Sequence, residues 1–111
     1  MLLLKKRLRL SLRNGEYMQV RWTRRALLNL EQAVAYIAAD SPTIANRVAQ
    51  KIWESVQLLG DHPRIGRPGR VKGTRELVIS GLPYIIPYTE RNGSVFILRV
   101  LHSSMKWPES I

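Results

Sequence analysis

Two apolar stripes at helical spacing, separated by little more than a Ser-Pro pair, constrain the fold of this chain most strongly. The first stripe consists of Leu27, Leu30, Val34 and Ile37. The second consists of Ala45, Val48, Ile52, Val56 and Leu59. Apolar residues at intervals of three and four lie on one face of an α-helix. Thr23 can cap the first helix, and Ser41-Pro42 suits the start of the second. Because the connection is short, the helices are predicted to form an antiparallel hairpin.

Strand-like segments surround the predicted hairpin. They are residues 19–22 before it and residues 75–80, 84–90 and 94–102 after it. Asn92-Gly93 is a strong signal for a β-hairpin between the last two segments, because both residues tolerate positive φ. The order β-α-α-β-β-β predicts an α+β fold, in which the helical hairpin packs on one face of a mainly antiparallel four-stranded sheet.

Two details of the strands affect where side chains point. Pro87 lacks a backbone N–H, so it predicts either an edge position or a bulge in the third strand. Strict alternation in the fourth strand would divide its side chains between the two faces of the sheet. The predicted sets are Phe96, Leu98, Val100 and His102 on one face and Val95, Ile97, Arg99 and Leu101 on the other.

The chain has room for one folded domain. Its 111 residues can fill a single hydrophobic core but not two. Residues 1–17 carry five basic residues against Glu16, a net charge of +4, and lack the continuous apolar core of a secretory signal. We interpret them as a basic leader upstream of a translation start at Met18, with a basic strand or interfacial segment as the alternative. The domain is predicted at residues 18–111, in the cytoplasm and away from membranes.

The charge balance indicates an acidic or polyanionic partner. The chain has 18 Lys and Arg against 8 Asp and Glu, a formal net charge of +10, which favours binding to such partners. The absence of Cys excludes a disulfide framework, a thiolate zinc site and a cysteine nucleophile. Because there are only two His residues, we expect no structural metal site. No other cofactor is expected either.

Residues 61–74, called the basic loop below, concentrate this charge. Their Pro and Gly residues predict irregular structure, and a loop of this length in a small domain is usually functional. The cations of the loop are Arg64, Arg67, Arg70 and Lys72, against Asp61 alone. We predict that they contact a nucleic acid or another target, with a solvated loop face as the alternative. Aromatic candidates for target binding are Tyr84, Tyr88 and Trp107. For Trp107 we favour anchoring of the tail on the sheet over stacking on a base.

Four segments together resemble the RelE/ParE superfamily of bacterial toxins. They are VRWTRRALLNLEQAVAYIAADSP, HPRIGRPGRVKGTREL, PYIIPY and ILRVLHSSMKWP, within about residues 18–108. The resemblance implies the toxin of a type II toxin–antitoxin system, which a cognate antitoxin neutralises. Within this superfamily, RelE-like toxins cut mRNA in the ribosomal A site, whereas ParE-like toxins poison DNA gyrase and are not known to be nucleases.

A RelE-like member would be a metal-independent endoribonuclease, or mRNA interferase. Attack by the 2′-oxygen needs a base, an acid for the leaving 5′-oxygen and cations that stabilise the pentavalent phosphorane. His102 is the candidate base or acid, with Glu76 as an alternative base. Arg75 and Arg99 are the candidate cations. The alternative for His102 is a structural role at the rim of the core.

One departure from the ribonuclease pattern favours the other branch. RNA-cutting relatives carry an arginine after the first aromatic residue of the third strand, where this chain has Ile85 after Tyr84. An isoleucine cannot stabilise a phosphorane. The run Leu101-His102-Ser103-Ser104-Met105 instead resembles the Leu-His-x-x-Met close of ParE-like toxins. We therefore favour a gyrase poison, with the ribosome-dependent mRNA endonuclease as the alternative.

The expected partner is an antitoxin encoded by a neighbouring gene. Because the toxin is basic, we predict that an acidic antitoxin segment lies across the helical hairpin and the basic surface. The two proteins would then form a hetero-oligomer. The second expected partner is the target, which is DNA gyrase or the ribosome with its mRNA.

Overall fold

The computed structural model describes residues 18–111, and the leader predicted at residues 1–17 lies outside the described residues. Helix α1 spans Arg24–Ala38 and helix α2 spans Pro42–Gln57, followed by a 3-10 turn at Leu58–Gly60. The strands are β1 Gln19–Trp22, β2 Arg67–Pro68, β3 Arg75–Val78, β4 Tyr84–Arg91, β5 Ser94–Ile97 and β6 Leu101–His102. Within residues 18–111, no helix is long and apolar enough to cross a membrane.

Side-chain caps begin both helices where the sequence predicts them. The Thr23 hydroxyl oxygen accepts a hydrogen bond from the Ala26 N–H at 3.1 Å, and the Ser41 hydroxyl oxygen accepts one from the Ile44 N–H at 3.2 Å. Each cap satisfies a backbone donor that has no partner within its helix. Thr23 also donates its hydroxyl proton to the Ile97 carbonyl at 2.8 Å. It therefore links the start of α1 to the end of β5.

The predicted fold class is confirmed: two helices pack against a mixed, mostly antiparallel sheet. The strand order is β1-β5-β4-β3-β2, in which β1 runs parallel to β5 and β6 pairs with β4. The hairpin between β4 and β5 turns at Asn92 and Gly93, with φ of 51° and 78°, as their sequence indicates. Within residues 18–111 the sheet has six strands rather than four, because the predicted fourth strand is divided and the basic loop contributes β2.

Pro87 explains the division of the fourth strand. It lies in the interior strand β4, and its carbonyl accepts from the Leu98 N–H at 2.9 Å. The N–H and C=O of a residue in an antiparallel strand point toward the same neighbouring strand. The N–H that Pro87 lacks would therefore have faced the segment that contains Leu98. Residues 98–100 leave the regular pairing there. The irregularity thus falls in the strand opposite Pro87, not in the strand that contains it.

The division shifts the alternation of side chains by one position. Ile97 pairs with Tyr88 and Leu101 pairs with Ile85, so one extra residue is accommodated between the two pairs. The helix-facing core therefore contains Val95, Ile97 and Val100. The predicted grouping of Val100 with Phe96, and of Leu101 with Ile97, is wrong for this reason.

The main core lies between the helical hairpin and one face of the sheet. From α2 it takes the predicted stripe, in which Ile52 and Val56 are fully buried. From α1 it takes Ala26, which is also fully buried, whereas Leu27 remains 43% exposed. In the first turn of α1, the residue that faces the core is thus Ala26 and not Leu27 as predicted. The core residues from the strands are Leu77, Tyr84, Ile86, Tyr88, Val95 and Ile97, and Ile79 and Val100 join them from positions just outside the strands.

The double role of Thr23 predicts a ranking of the two helix caps. Thr23→Ala is expected to lower the free energy of unfolding by about 1–2 kcal/mol, because it removes the cap and the bond to the Ile97 carbonyl. Ser41→Ala removes only an exposed cap and should cost about 0.5–1 kcal/mol. Urea denaturation of the two variants measures the difference, with Thr23→Ser as the conservative control. An equal or larger loss in Ser41→Ala would contradict the link between α1 and β5.

Candidate target-binding surface

The basic loop is more ordered than its composition predicts. Arg67 pairs with Glu76 and Pro68 pairs with Arg75 in a short antiparallel ladder. The expectation that residues 61–74 contain no regular structure is therefore corrected at this point. Pro68 is tolerated because β2 lies at an edge of the sheet, where a missing backbone N–H does not interrupt pairing with a further strand.

The carboxylate of Glu76 organises the loop. Glu76 is 3% exposed. One carboxylate oxygen accepts from the Arg67 guanidinium at 3.0 Å, and the other accepts from the Arg70 backbone N–H at 2.9 Å. The Arg70 Nε lies 3.7 Å from the second oxygen. A buried carboxylate is stable only when it is paired and hydrogen-bonded. The contacts of Arg67 and Arg70 with the Glu76 carboxylate therefore hold the loop against β3.

Trp107 joins the tail to this cluster. The guanidinium carbon of Arg70 lies 3.8 Å from the centroid of the Trp107 ring, a cation–π geometry. This contact places the tail against the basic loop, which supports the anchoring role favoured for Trp107. Its ring is partly buried, with one face covered by Arg70.

A second set of contacts braces the start of the loop. The Tyr88 hydroxyl donates to the Pro63 carbonyl at 2.8 Å and accepts from the Gly66 N–H at 2.9 Å. Arg75 donates to the Gly66 carbonyl at 2.7 Å and to the Arg64 carbonyl at 3.4 Å. Burial raises the pKa of Tyr88 above its usual range, while the bond from Gly66 and the charge of Arg75 act in the opposite direction. Tyr88 is 1% exposed, so its ring supports the loop rather than offering a face for stacking.

Gly66 is required by the close approach of this loop to β4. A Cβ atom at position 66 would lie 2.6 Å from the Tyr88 hydroxyl and 2.8 Å from the Glu76 carbonyl oxygen. Both distances are shorter than a carbon atom tolerates. The loop can therefore pass over Tyr88 only with a glycine at this position.

His102 lies at the opposite end of β4. Its ring packs edge-on against Tyr84, with centroids 5.3 Å apart. The His102 Nδ1 accepts from the backbone N–H of Ser104 at 3.1 Å and lies 2.8 Å from its hydroxyl. These contacts assign the proton of the neutral ring to Nε2. Tyr84 is 8% exposed, and burial raises its pKa.

Arg99 is held by α1. Its Nε donates to the Asn29 side-chain oxygen at 3.1 Å, and the Val100 N–H donates to the same oxygen at 3.2 Å. Burial lowers the pKa of Arg99, and the positive charge of Arg25 acts in the same direction. Asn29 thus stabilises the irregular residues that follow β5.

The three candidate ribonuclease residues are not all assembled in one place. Arg75 pairs with Tyr88 and His102 pairs with Tyr84, four residues apart along β4, which is about 13 Å at the rise of a strand. Between these positions, Ile85 is 7% exposed and pairs with Val78 and Leu101. The position at which the ribonuclease pattern predicts an arginine is therefore buried and apolar.

Two cations of the basic loop remain exposed. The Arg64 side chain is 74% exposed, and its Nε lies 3.8 Å from the Glu90 carboxylate. Lys72 is exposed near the tip of the loop. A surface ion pair of this kind contributes little to stability, so both side chains are available to a partner. Within residues 18–111, no group of three or more His, Cys, Asp or Glu could hold a metal.

This α+β fold, with a basic loop and tail beside the sheet, defines the class of RelE/ParE-type toxins. A family model described as "ParE toxin of type II toxin-antitoxin system, parDE" matches residues 20–107. The chain therefore belongs to the ParE toxin family and is the toxin component of a type II toxin–antitoxin system. An antitoxin is its partner.

Individual relatives agree with this assignment. The chain is 47% identical over 91 residues to "Putative toxin Y4kP" of Sinorhizobium fredii, covering 82% of this chain and 94% of that protein. It is 37% identical over 86 residues to "Toxin RelE2" of Caulobacter vibrioides, covering 78% and 96%. Among solved structures, a chain of the chromosomal ParDE system of P. aeruginosa is similar, with a TM-score of 0.72 and 28% identity over 79% of this chain and 98% of that chain.

Sequence reasoning missed two residues that build this surface. Glu76 was considered only as a possible base, although it holds two arginines of the loop. Asn29 was not considered, although it binds Arg99 across 70 residues of sequence. Alternation along β3 could have indicated that Glu76 faces away from the helices, because its neighbour Leu77 is a core residue.

Removing the Tyr88 hydroxyl tests whether it supports the basic loop. Tyr88→Phe is expected to lower the free energy of unfolding by about 1–3 kcal/mol, because the Gly66 N–H and the Pro63 carbonyl both lose their partner. Tyr84→Phe is the matched control on the same strand and face, since the Tyr84 hydroxyl bonds to no residue within 18–111. It should change stability by less than about 0.5 kcal/mol. Urea denaturation compares them, and equal losses would contradict the bracing role.

Proposed function

We propose that this toxin acts by binding, as a ParE-like poison of DNA gyrase that traps the cleaved-DNA complex and so arrests growth. The observation that carries the proposal is the buried Ile85, which pairs with Val78 and Leu101 where a ribonuclease of this superfamily needs a cation. We also propose that the toxin acts in the cytoplasm, where this target is found.

The positions of the remaining candidates support a mechanism without RNA cleavage. A phosphorane is stabilised only by charges that lie within a few ångströms of it. Arg75 uses its guanidinium to hold the basic loop, and it lies about 13 Å along β4 from His102. The Nδ1 of His102 is occupied by Ser104, which leaves Nε2 as the free atom of the ring.

The charge of the surface supports binding to a nucleic-acid machine. Arg64 and Lys72 are exposed, and Arg67 and Arg70 are about half exposed. Exposed cations on a short, glycine-containing backbone can approach phosphates closely. We propose that this surface contacts gyrase or the DNA bound to it.

A ribosome-dependent mRNA endonuclease is the second candidate. It is favoured by the similarity to the Caulobacter vibrioides protein named RelE2 and by the partial exposure of His102 in a pocket beside α1. In that case, His102 would transfer protons and Arg99 and Arg75 would stabilise the phosphate. The basic loop would then contact RNA.

Growth and supercoiling assays distinguish the two mechanisms. We expect induction to cause filamentation, an SOS response and double-strand breaks, and the purified toxin to inhibit supercoiling by gyrase. His102→Ala and Arg99→Ala should keep this inhibition. Replacing Arg64 and Lys72 by Ala should weaken it, because both cations are exposed to the target. Replacing Arg47 and Lys51, two exposed cations on α2, by Ala is the charge-matched control and should keep the inhibition. Rapid loss of translation with cleaved transcripts, abolished by His102→Ala, would instead establish the ribonuclease.

We further propose that an acidic segment of the antitoxin lies across the helical hairpin and the basic surface. Besides the cations of the loop, α1 offers exposed apolar side chains: Leu28 is 49% exposed and Tyr36 is 82% exposed. Large apolar side chains at a surface commonly mark a protein interface. The tail adds Met105, which is 50% exposed in the same pocket as Tyr36.

Variants of α1 test this interface. Replacing Leu28 and Tyr36 together by Ala is expected to weaken antitoxin binding by about tenfold or more, because a few buried residues, Tyr prominent among them, dominate the affinity of such interfaces. Val78→Ala, which truncates a 50% exposed side chain of β3, is the control and should leave affinity unchanged. Calorimetry with the product of the neighbouring gene gives the affinities. Unchanged affinity in the double variant would place the interface elsewhere.

A further inference from the structure

The basic loop and the C-terminal tail meet through one buried carboxylate. Glu76 is 3% exposed, whereas the side chains of Arg67 and Arg70 are 49% and 51% exposed. The negative charge therefore lies beneath the two positive charges. From this arrangement we propose that Glu76 is a positioning residue, which holds loop and tail together as a single target-binding surface. The functional part of this inference rests on the proposed binding function.

The contacts of Glu76 determine where both arginines lie. Arg67 reaches one carboxylate oxygen through Nε and Nη2, each at 3.0 Å. The second oxygen receives the backbone N–H of Arg70 at 2.9 Å, which fixes the main chain as well as the side chain of that residue. Hydrogen bonds to an ionised acceptor are stronger than neutral ones. Without the carboxylate, the two guanidinium groups would repel each other.

The tail depends on the position of Arg70. The Arg70 guanidinium lies over the ring of Trp107 at 3.8 Å, while the Trp107 Nε1 is buried without an acceptor among residues 18–111. The ring is therefore held by its face and by packing, not by its N–H. Displacement of Arg70 removes the cation from this face, so the placement of Trp107 and its neighbour Lys106 depends on Glu76, although Glu76 bonds to neither.

Labelling with 5-fluorotryptophan tests the connection in the full chain. Trp107→Phe assigns the ¹⁹F resonance of Trp107, and Trp22 and Trp53 serve as internal references for the fold. Glu76→Gln keeps the shape of the side chain and removes its charge. We expect it to shift the Trp107 resonance toward the solvent-exposed position while leaving the other two resonances unchanged. The amount of toxin needed for half-inhibition of gyrase should rise by about tenfold or more.

Glu31→Gln is the matched control, because it makes the same change of charge at an exposed position of α1, away from the basic loop and the tail. It should leave the Trp107 resonance and the inhibition unchanged. If Glu76→Gln fails to fold, Arg70→Gln replaces it, since this half-exposed side chain can be changed without uncovering a core; it should expose Trp107 equally.

An unchanged Trp107 resonance in the variant used would overturn the positioning role. A shifted resonance with full inhibition would overturn the view that loop and tail act as one surface. The resonance is measured without gyrase, so the structural coupling is tested even if the wild-type toxin proves inactive on that target.

Discussion

The pairing of the Glu76 carboxylate with Arg67 and Arg70 is the interaction on which the functional surface depends. Removing a carboxylate from water is unfavourable, and the contacts of Arg67 and Arg70 with Glu76 on β3 offset this desolvation energy. The same contacts create β2 and orient Arg70 over Trp107, while Arg64 and Lys72 stay outside the cluster and exposed. One buried negative charge thus determines how much of the positive charge of the loop is structural and how much is available to a partner.

The helical hairpin could be predicted from the sequence because its information is local. The stripe of α2 and the caps at Thr23 and Ser41 lie where spacing and side-chain chemistry indicate. The prediction was wrong at Leu27, because the contact face of α1 depends on how closely the helix approaches the sheet, and the small Ala26 permits that approach. The spacing of apolar residues along α1 gives no information about the distance between the helix and the sheet.

The site was harder to predict because its contacts join distant parts of the chain. The sequence shows that Pro87 lacks a donor, but which neighbouring strand is interrupted depends on the direction in which that donor would have pointed. The resulting extra residue moves Val100 into the core and places Arg99 beside Asn29. The basic loop was visible in the composition, whereas the buried carboxylate that holds it became evident only when β3 was placed next to Arg67 and Arg70.

The parallel pairing of β1 with β5 has a consequence for the order of folding. Val20 pairs with Val95, so this edge closes a long stretch of chain, whereas the helical hairpin and the β4–β5 turn close short ones. Contacts between distant residues form slowly, since the entropy of loop closure must be overcome first. The hairpins are expected to form early and β1 to add last. The strand nearest the N-terminus among residues 18–111 would then be the last to join the sheet.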